Sequence, residues 1–201
     1  MTTTLKSASR PQRASKPIRF TLEQKQGMER RGILDPNRRY ELIEGEIYEL
    51  SDNPPHGSVL TLLIAWLNTV FGAMYVRGQM SISTGQVNPK YNAPQPDAAV
   101  TRDTALAYFH RLPGPQDILL LVEVSDTTRA HDLGKKARLY AKAGIVEYWV
   151  LDINRRRLTV HRQPTPTGYT EILRVAEEES VSPLARPEHS LRVADLFPPR
   201  D

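Results

Sequence analysis

The residues most able to do chemistry in this sequence are two carboxylates and one amine in three short segments. Asp97 follows Pro96, Glu123 interrupts an apolar run, and Lys136 closes the sequence Asp-Leu-Gly-Lys-Lys. If the three segments meet, the two carboxylates can hold a divalent metal and the amine can face a phosphodiester bound to it. These residue types therefore indicate phosphodiester chemistry as the first hypothesis.

Glu123 is unusual because it lies in a continuous apolar run, residues 118–124, that predicts a strand buried on both faces. An ionised carboxylate is costly to bury, so Glu123 must be paired, protonated, metal-bound or placed at a strand end facing a cleft. Asp97 begins a second short strand, residues 97–100, after a Pro-Gln-Pro sequence that stops any helix. If the two strands are neighbours, both carboxylates can converge on one hard cation such as Mg²⁺.

Lys136 lies on a helix predicted over residues 129–143. Helical spacing places it on one face with Leu133, Ala137 and Tyr140. A lysine on a buried face can direct its ammonium toward the strand-end carboxylates, where it would offset charge on a phosphate or orient water. Lys135 lies about 100° further around the helix and is expected to be solvated.

Each of these residues also has a purely structural interpretation. Glu123 and Lys136 could form an ion pair that satisfies both groups without a metal. Asp97 could be only a strand-start or turn residue, and the Lys136 stem could extend along apolar surface to bring its charge to water. His56, at the beginning of a helix, is a weak candidate for a general base because a capping or surface histidine is commoner there.

Several motifs occur together along the chain. In order, they are Arg39-Tyr-Glu41-Leu-Ile-Glu44-Gly-Glu46, His56, Pro96-Asp97, Val122-Glu123-Val-Ser125-Asp-Thr-Thr, Asp132-Leu-Gly-Lys-Lys136, Leu139-Tyr140-Ala-Lys-Ala-Gly144 and Glu147-Tyr-Trp-Val-Leu-Asp152. With this combination, residues 21–197 resemble the Uma2 (Uma-two) family of "putative restriction endonucleases", members of the PD-(D/E)xK nuclease superfamily.

The resemblance implies an α/β fold, a restriction-endonuclease-like mixed sheet flanked by helices, with an added N-terminal helix and hairpin. It implies that Asp97 and Glu123 are the metal ligands, with Mg²⁺ as the cofactor and Mn²⁺ as an alternative. Most of the superfamily carries its lysine two residues after the second acid, where this chain has Ser125. The family pattern places it on the following helix instead, which makes Lys136 the matching residue.

Two upstream acids match positions of the family that could extend the metal site. Glu46 follows the Glu-Gly turn, and Glu41 lies five residues before it. Glu46 is ranked slightly ahead of Glu41, as a ligand that binds directly or through water. Contacts with nucleic acid are unassigned, because Arg77, Arg111 and Arg129 could each meet a phosphate and nothing in the sequence ranks them.

Composition limits the class of protein. The 201 residues are 39% hydrophobic and 25% charged, which fits one soluble domain, predicted over residues 21–201. No apolar run reaches membrane-spanning length, so a membrane protein is not expected. With no cysteine, the chain cannot form disulfides, thiolate nucleophiles or sulfur-ligated zinc sites, and a cytoplasmic location is expected.

The basic charge is concentrated at the N-terminus. Of the formal net charge of +4, residues 1–20 contribute +5 and contain no acid, which leaves −1 for the rest. This stretch is rich in Ser, Thr and Pro and is predicted to be a disordered basic tail. It could attract phosphates without sequence preference, although a solubilising tail explains it equally well.

The remaining pattern predicts elements that would position the site. Helices are expected over residues 21–31 and 56–75, and a hairpin over residues 40–43 and 46–50. Further strands are expected at residues 80–87, 98–101, 118–124, 147–152, 157–162 and 169–175. Because helix 129–143 joins two core strands, those strands are predicted to run parallel.

The function favoured by the sequence is a Mg²⁺-dependent endonuclease that cleaves DNA and acts as a homodimer, because two sites are needed for a double-strand cut. One alternative is a catalytically silent nucleic-acid-binding or assembly protein on the same fold. Another is an enzyme acting on a different phosphate-containing substrate. Dinucleotide, nucleoside triphosphate, zincin and hydrolase-elbow motifs are all missing from the sequence.

Overall fold

The computed structural model describes residues 17–50 and 53–200. Its first elements are α1 (Leu22–Arg30), β1 (Arg39–Ile43), β2 (Glu46–Leu50), α2 (Pro54–Phe71), β3 (Val76–Gly78), β4 (Ala98–Thr101) and β5 (Ile118–Ser125). They are followed by α3 (Arg129–His131), a π-helical segment (Asp132–Lys136), α4 (Ala137–Ala143), β6 (Glu147–Asp152), β7 (Arg157–Thr165), β8 (Gly168–Val175), β9 (Ser180–Val181) and β10 (Leu191–Arg192).

A six-stranded mixed sheet forms the centre of the fold, in the order β3-β4-β5-β6-β7-β8. Its neighbouring strands are antiparallel, except that β5 and β6 run parallel. A parallel pair needs a crossover connection, which α3, the π-helical segment and α4 provide. The predicted α/β class and the predicted parallel pair are confirmed.

Each face of the sheet has its own hydrophobic core. One face is covered by α2 and by the C-terminal segment that includes Val193 and Phe197, with Trp149 of β6 buried beneath them. The other face is covered by α4, whose Tyr140 packs edge-on against Tyr148 of β6. Because both faces are covered, the central strand β5 reads as a near-continuous apolar sequence.

The β1–β2 hairpin forms a separate two-stranded sheet beside the main one. Backbone hydrogen bonds attach it to the body of the protein: Leu42 and Ala93 donate to each other's carbonyl oxygens, and Phe20 N donates to Gly45 O at the hairpin turn. The predicted hairpin is therefore present, and its strands lie over the helical crossover that follows β5.

Two predicted elements differ from the structure. The helix expected over residues 56–75 is Pro54–Phe71, because Gly72 adopts a φ of +88° and ends it. The strand expected over residues 80–87 is wrong, and the edge strand is instead Val76–Gly78. Left-handed backbone at Gln79 and Gly85 interrupts that segment. Its alternating apolar pattern reflects single buried side chains, such as Ile82, in an irregular loop.

Most of the predicted N-terminal tail, residues 1–16, lies outside the described residues. The chain is described from Pro17, and helix α1 begins with a capping box in which Thr21 and Gln24 exchange hydrogen bonds. Within the described residues, every helix is too short or too polar to cross a membrane.

Helix α2 provides a direct test of this packing. Leu63 is fully buried against the sheet, whereas the adjacent Leu62 is 45% exposed. We expect Leu63→Ala to lower the free energy of unfolding by about 2–5 kcal/mol, because it removes buried methyl groups and leaves a cavity. Leu62→Ala should cost less than about 1 kcal/mol. Urea unfolding of the two variants measures the difference, and similar losses would contradict this placement of α2.

Candidate active site

Asp97 and Glu123 lie side by side at the edge of a pocket. Strands β4 and β5 are antiparallel with Ala98 opposite Val122, so one step further along each strand brings Asp97 opposite Glu123. Residues directly opposite in an antiparallel pair project from the same face, which directs both carboxylates into the same pocket. The backbone N–H of Val124 donates to Asp97 Oδ2 at 2.8 Å and fixes that carboxylate.

Lys136 is buried between two carboxylates. Its Nζ lies 2.9 Å from Glu123 Oε1 and 3.0 Å from Glu41 Oε1, and all three side chains are at most 4% exposed. The Tyr140 hydroxyl donates a second hydrogen bond to Glu123 Oε1 at 3.0 Å. The structure therefore brings together the three residues that the sequence singled out first.

The segment that presents Lys136 is held by a buried aspartate. Asp132 Oδ2 accepts hydrogen bonds of 2.6 Å from both Ser125 Oγ and Thr128 Oγ1, and the Tyr148 hydroxyl donates to the Asp132 carbonyl. Residues 132–136 form a π-helical turn here, a distortion that often accompanies functional sites. Ser125, which stands where the superfamily lysine is usual, helps to orient the segment that carries the lysine.

Of the two upstream acids, Glu41 rather than Glu46 reaches this cluster. Both project from the same face of the hairpin, since Glu41 pairs with Tyr48 and Ile43 pairs with Glu46. Glu46 lies nearer the turn, where its Oε2 accepts hydrogen bonds from Lys135 Nζ at 2.7 Å and from the Tyr48 hydroxyl. This placement favours Glu41 over Glu46 as the acid that extends the site, the reverse of the order predicted from the sequence.

Lys135 also differs from its prediction. It is half-buried rather than solvated, because its ammonium binds Glu46 and donates to the Tyr48 hydroxyl at 2.8 Å. This contact could not be predicted from the sequence, because the hairpin that supplies the partners lies about 90 residues earlier in the chain. Tyr48 itself lines the pocket, so Lys135 stands at its border.

Two histidines complete the lining of the pocket. His56, the weak candidate for a base, lies in the first turn of α2 with its Nε2 3.1 Å from Asp97 Oδ2. His131 was not identified from the sequence; its Nε2 is 3.7 Å from Glu41 Oε1 and its ring packs 4.3 Å from that of Tyr48. The only sequence signal for His131 is its position one helical turn before Lys135.

The site carries more negative than positive charge. Burial raises the pKa of Glu123 well above its ordinary value, and the neighbouring Asp97, Asp132 and Glu41 raise it further, although Lys136 opposes this. Burial alone would lower the pKa of Lys136, but the surrounding carboxylates hold it above its ordinary value. Lys136 is therefore cationic near neutral pH, and it shares the pocket with the four acids Glu41, Asp97, Glu123 and Asp132.

This donor set fits a hard divalent cation. Among residues 17–50 and 53–200, no group of three or more His, Asp or Glu side chains forms a complete metal site. Mg²⁺, however, is commonly held by one or two carboxylates, with water and substrate phosphate completing its shell. Asp97 and Glu123 provide such a pair, and the nearby carboxylates of Asp132 and Glu41 add negative charge that favours a cation there.

Comparison with known proteins gives the family. A family model described as "Putative restriction endonuclease", Uma2, matches residues 23–194. The chain belongs to the Uma2 family. A search of curated proteins found no match.

The fold of this Uma2 protein is also seen in a crystal structure. A protein from Anabaena variabilis ATCC 29413, described as a putative nuclease belonging to DUF820, superposes with a TM-score of 0.66. The similarity covers 90% of this chain and 98% of the other at 17% sequence identity. At that identity the superposition establishes a shared fold, while family membership rests on the sequence match.

The raised pKa of Glu123 predicts a pH-dependent stability in metal-free buffer. Because the folded-state pKa lies above the unfolded value of about 4.5, this group stabilises the fold at low pH and loses that contribution as pH rises. We expect Glu123→Gln to gain stability relative to wild type between pH 5 and pH 8, by up to about 1.4 kcal/mol for each pH unit. Urea unfolding in EDTA across this pH range measures the difference in free energy of unfolding between Glu123→Gln and wild type. A difference that does not change with pH would contradict the expectation.

Removing the two hydroxyls that bind Asp132 should destabilise the π-helical segment. In Ser125→Ala/Thr128→Val the buried carboxylate loses both donors, and we expect the free energy of unfolding to fall by about 3 kcal/mol. Thr61→Val/Thr69→Val removes two exposed hydroxyls from α2 and should change it by no more than about 0.5 kcal/mol. Equal losses in the two double variants, measured by urea unfolding, would argue against the Asp132 contacts.

Proposed function

We propose that this Uma2 protein is a metal-dependent endonuclease that hydrolyses DNA phosphodiester bonds. The observation that carries the proposal is the convergence of Asp97 and Glu123 from adjacent strands beside a buried, protonated Lys136. Family membership supports a nuclease.

Asp97 and Glu123 would hold Mg²⁺, with Mn²⁺ as an alternative. Asp97 Oδ2 already accepts the Val124 N–H, so the arrangement leaves Oδ1 as its ligand atom. Glu123 Oε1 accepts from Lys136 and Tyr140, which leaves Oε2 in the same role. The bound ion would lower the pKa of a coordinated water and offset charge on the phosphate.

Lys136 would act as a cation rather than as a base. Its pKa lies above its ordinary value, so it does not accept a proton at neutral pH. It can instead donate hydrogen bonds to a phosphate oxygen or to the attacking water as negative charge develops. Glu41 also binds Lys136, at 3.0 Å, and would help to hold its ammonium in position.

His56 would keep Asp97 in its binding orientation. Its Nε2 is within hydrogen-bonding distance of the Asp97 oxygen that also accepts the Val124 N–H. A ligating carboxylate is commonly fixed by such outer contacts, and their loss weakens metal binding. Because one site cuts one strand, cleavage of both strands would require a homodimer.

The proposal is tested by incubating supercoiled plasmid with Mg²⁺, Mn²⁺ or EDTA. We expect wild-type protein to nick or cut the plasmid only with metal, and Asp97→Asn, Glu123→Gln and Lys136→Met to lose at least about a hundredfold in rate, because each removes charge stabilisation. Glu147→Gln is the matched control, since Glu147 is fully buried on β6 but binds Arg162.

Metal binding has its own measurement. Titration calorimetry should detect Mg²⁺ or Mn²⁺ binding to wild type and Lys136→Met, and little binding to Asp97→Asn or Glu123→Gln. Failure of folded wild-type protein to bind metal or cleave DNA would contradict the proposal. DNA binding without metal dependence would instead favour the catalytically silent nucleic-acid-binding protein.

A further inference from the structure

Some arginine and lysine side chains of the folded body already have a partner within the protein, and others do not. Arg111 makes two hydrogen bonds to Asp117, and Arg129 lies 2.8 Å from Asp152. Arg77 packs over the ring of Tyr108. These three arginines, which the sequence could not rank as phosphate contacts, are therefore engaged within the protein.

A different set of cations lies along one face of the helical crossover. Lys135, Arg138 and Lys142 are three and four residues apart, a spacing that places them on the same side of the helix. We call these residues the basic face. It spans about 10 Å, from seven residues at about 1.5 Å per residue. Tyr140, on the opposite side of α4, is fully buried.

Two members of the basic face retain charge for an external anion. Arg138 and Lys142 are exposed, and neither forms an ion pair with any carboxylate of residues 17–50 and 53–200. They line a shallow groove together with Glu44 of the hairpin turn, Asn88, Asn92 and Thr167. The Asn92 amide is already bound to the backbone of Glu44, Val87 and Asn88. The Asn88 amide and the Thr167 hydroxyl, beside two unpaired cations, suit the oxygens of a phosphate backbone.

The basic face is continuous with the candidate active site. Lys135 binds Glu46 and Tyr48 at the border of the pocket, and Tyr48 lines that pocket together with Asp97 and Glu123. Arg19 also lies at the hairpin turn, where its side chain packs closely over Gly45. The part of a bound nucleic acid that extends out of the pocket would therefore lie beside the positive charge of this helix.

We propose that the basic face binds phosphates of duplex DNA that flank the strand held in the candidate active site. The inference rests on the proposed function for the identity of its partner, but it concerns binding and does not require cleavage. The contacts are to the backbone, so they strengthen binding equally for different sequences. Glu44, in the same groove, opposes the phosphates and limits the affinity.

The first test measures binding of a fluorescein-labelled DNA duplex by anisotropy, in EDTA, between about 50 and 200 mM KCl. Loss of two phosphate contacts in Arg138→Gln/Lys142→Gln should reduce the slope of log affinity against log salt by about 1.8. Binding should weaken to the same extent for two unrelated duplex sequences. Thermal unfolding confirms that the variants are folded.

Two further variants test whether the effect on DNA binding depends on the position of the charges or only on the net charge of the protein. Arg174→Gln/Arg192→Gln makes the same change in net charge with arginines on β8 and β10, and it should leave the slope at the wild-type value. Glu44→Gln removes the acid from the groove and should tighten binding. An unchanged slope in Arg138→Gln/Lys142→Gln, or an equal loss in the control, would overturn the inference.

The outcome is independent of the cleavage assay. If the slope falls as expected but no metal supports cleavage, the DNA-binding face stands and the nuclease proposal fails. If plasmid is cleaved through Asp97 and Glu123 but the slope is unchanged, the nuclease proposal stands and the basic face is not the DNA contact.

Discussion

Burial of the Lys136 ammonium between Glu41 and Glu123 is the interaction on which the site depends. Ions removed from water must be paired and hydrogen-bonded, so each charged partner must be positioned correctly. The antiparallel β4–β5 pair positions Asp97 and Glu123, the hairpin positions Glu41, and the crossover positions the lysine. Loss of any of these elements would leave charge buried without compensation.

The sequence predicted the parts whose signals are local. Period-two and helical spacing identified the hairpin, α2 and the central strands, and the acid within an apolar strand identified Glu123. The prediction of a strand at residues 80–87 was wrong because left-handed residues such as Gly85 interrupt the extended backbone that the apolar spacing suggests. Glu41 was ranked below Glu46, Lys135 was expected to be solvated and His131 was missed, because their partners come from distant segments and depend on how the hairpin lies on the helix.

The position of the lysine on a helix changes how the fold orients its side chain. A lysine two residues after Glu123 would be oriented by strand geometry alone. Here the corresponding residue, Ser125, donates its hydroxyl to Asp132, and that contact helps to set the π-helical segment carrying Lys136. Orientation of the cation therefore depends on side-chain hydrogen bonds as well as on the sheet.

The separate β1–β2 hairpin contributes an essential part of the site from outside the main sheet. It joins the body through backbone hydrogen bonds, the fully buried side chains of Leu42 and Ile43, and the ion pairs that Glu41 and Glu46 form with the two lysines of the crossover. Since Glu41 belongs to the hairpin, a local opening of the hairpin would remove one partner of Lys136 while the sheet remained folded. The assembled site therefore requires docking of the hairpin as well as an intact main sheet.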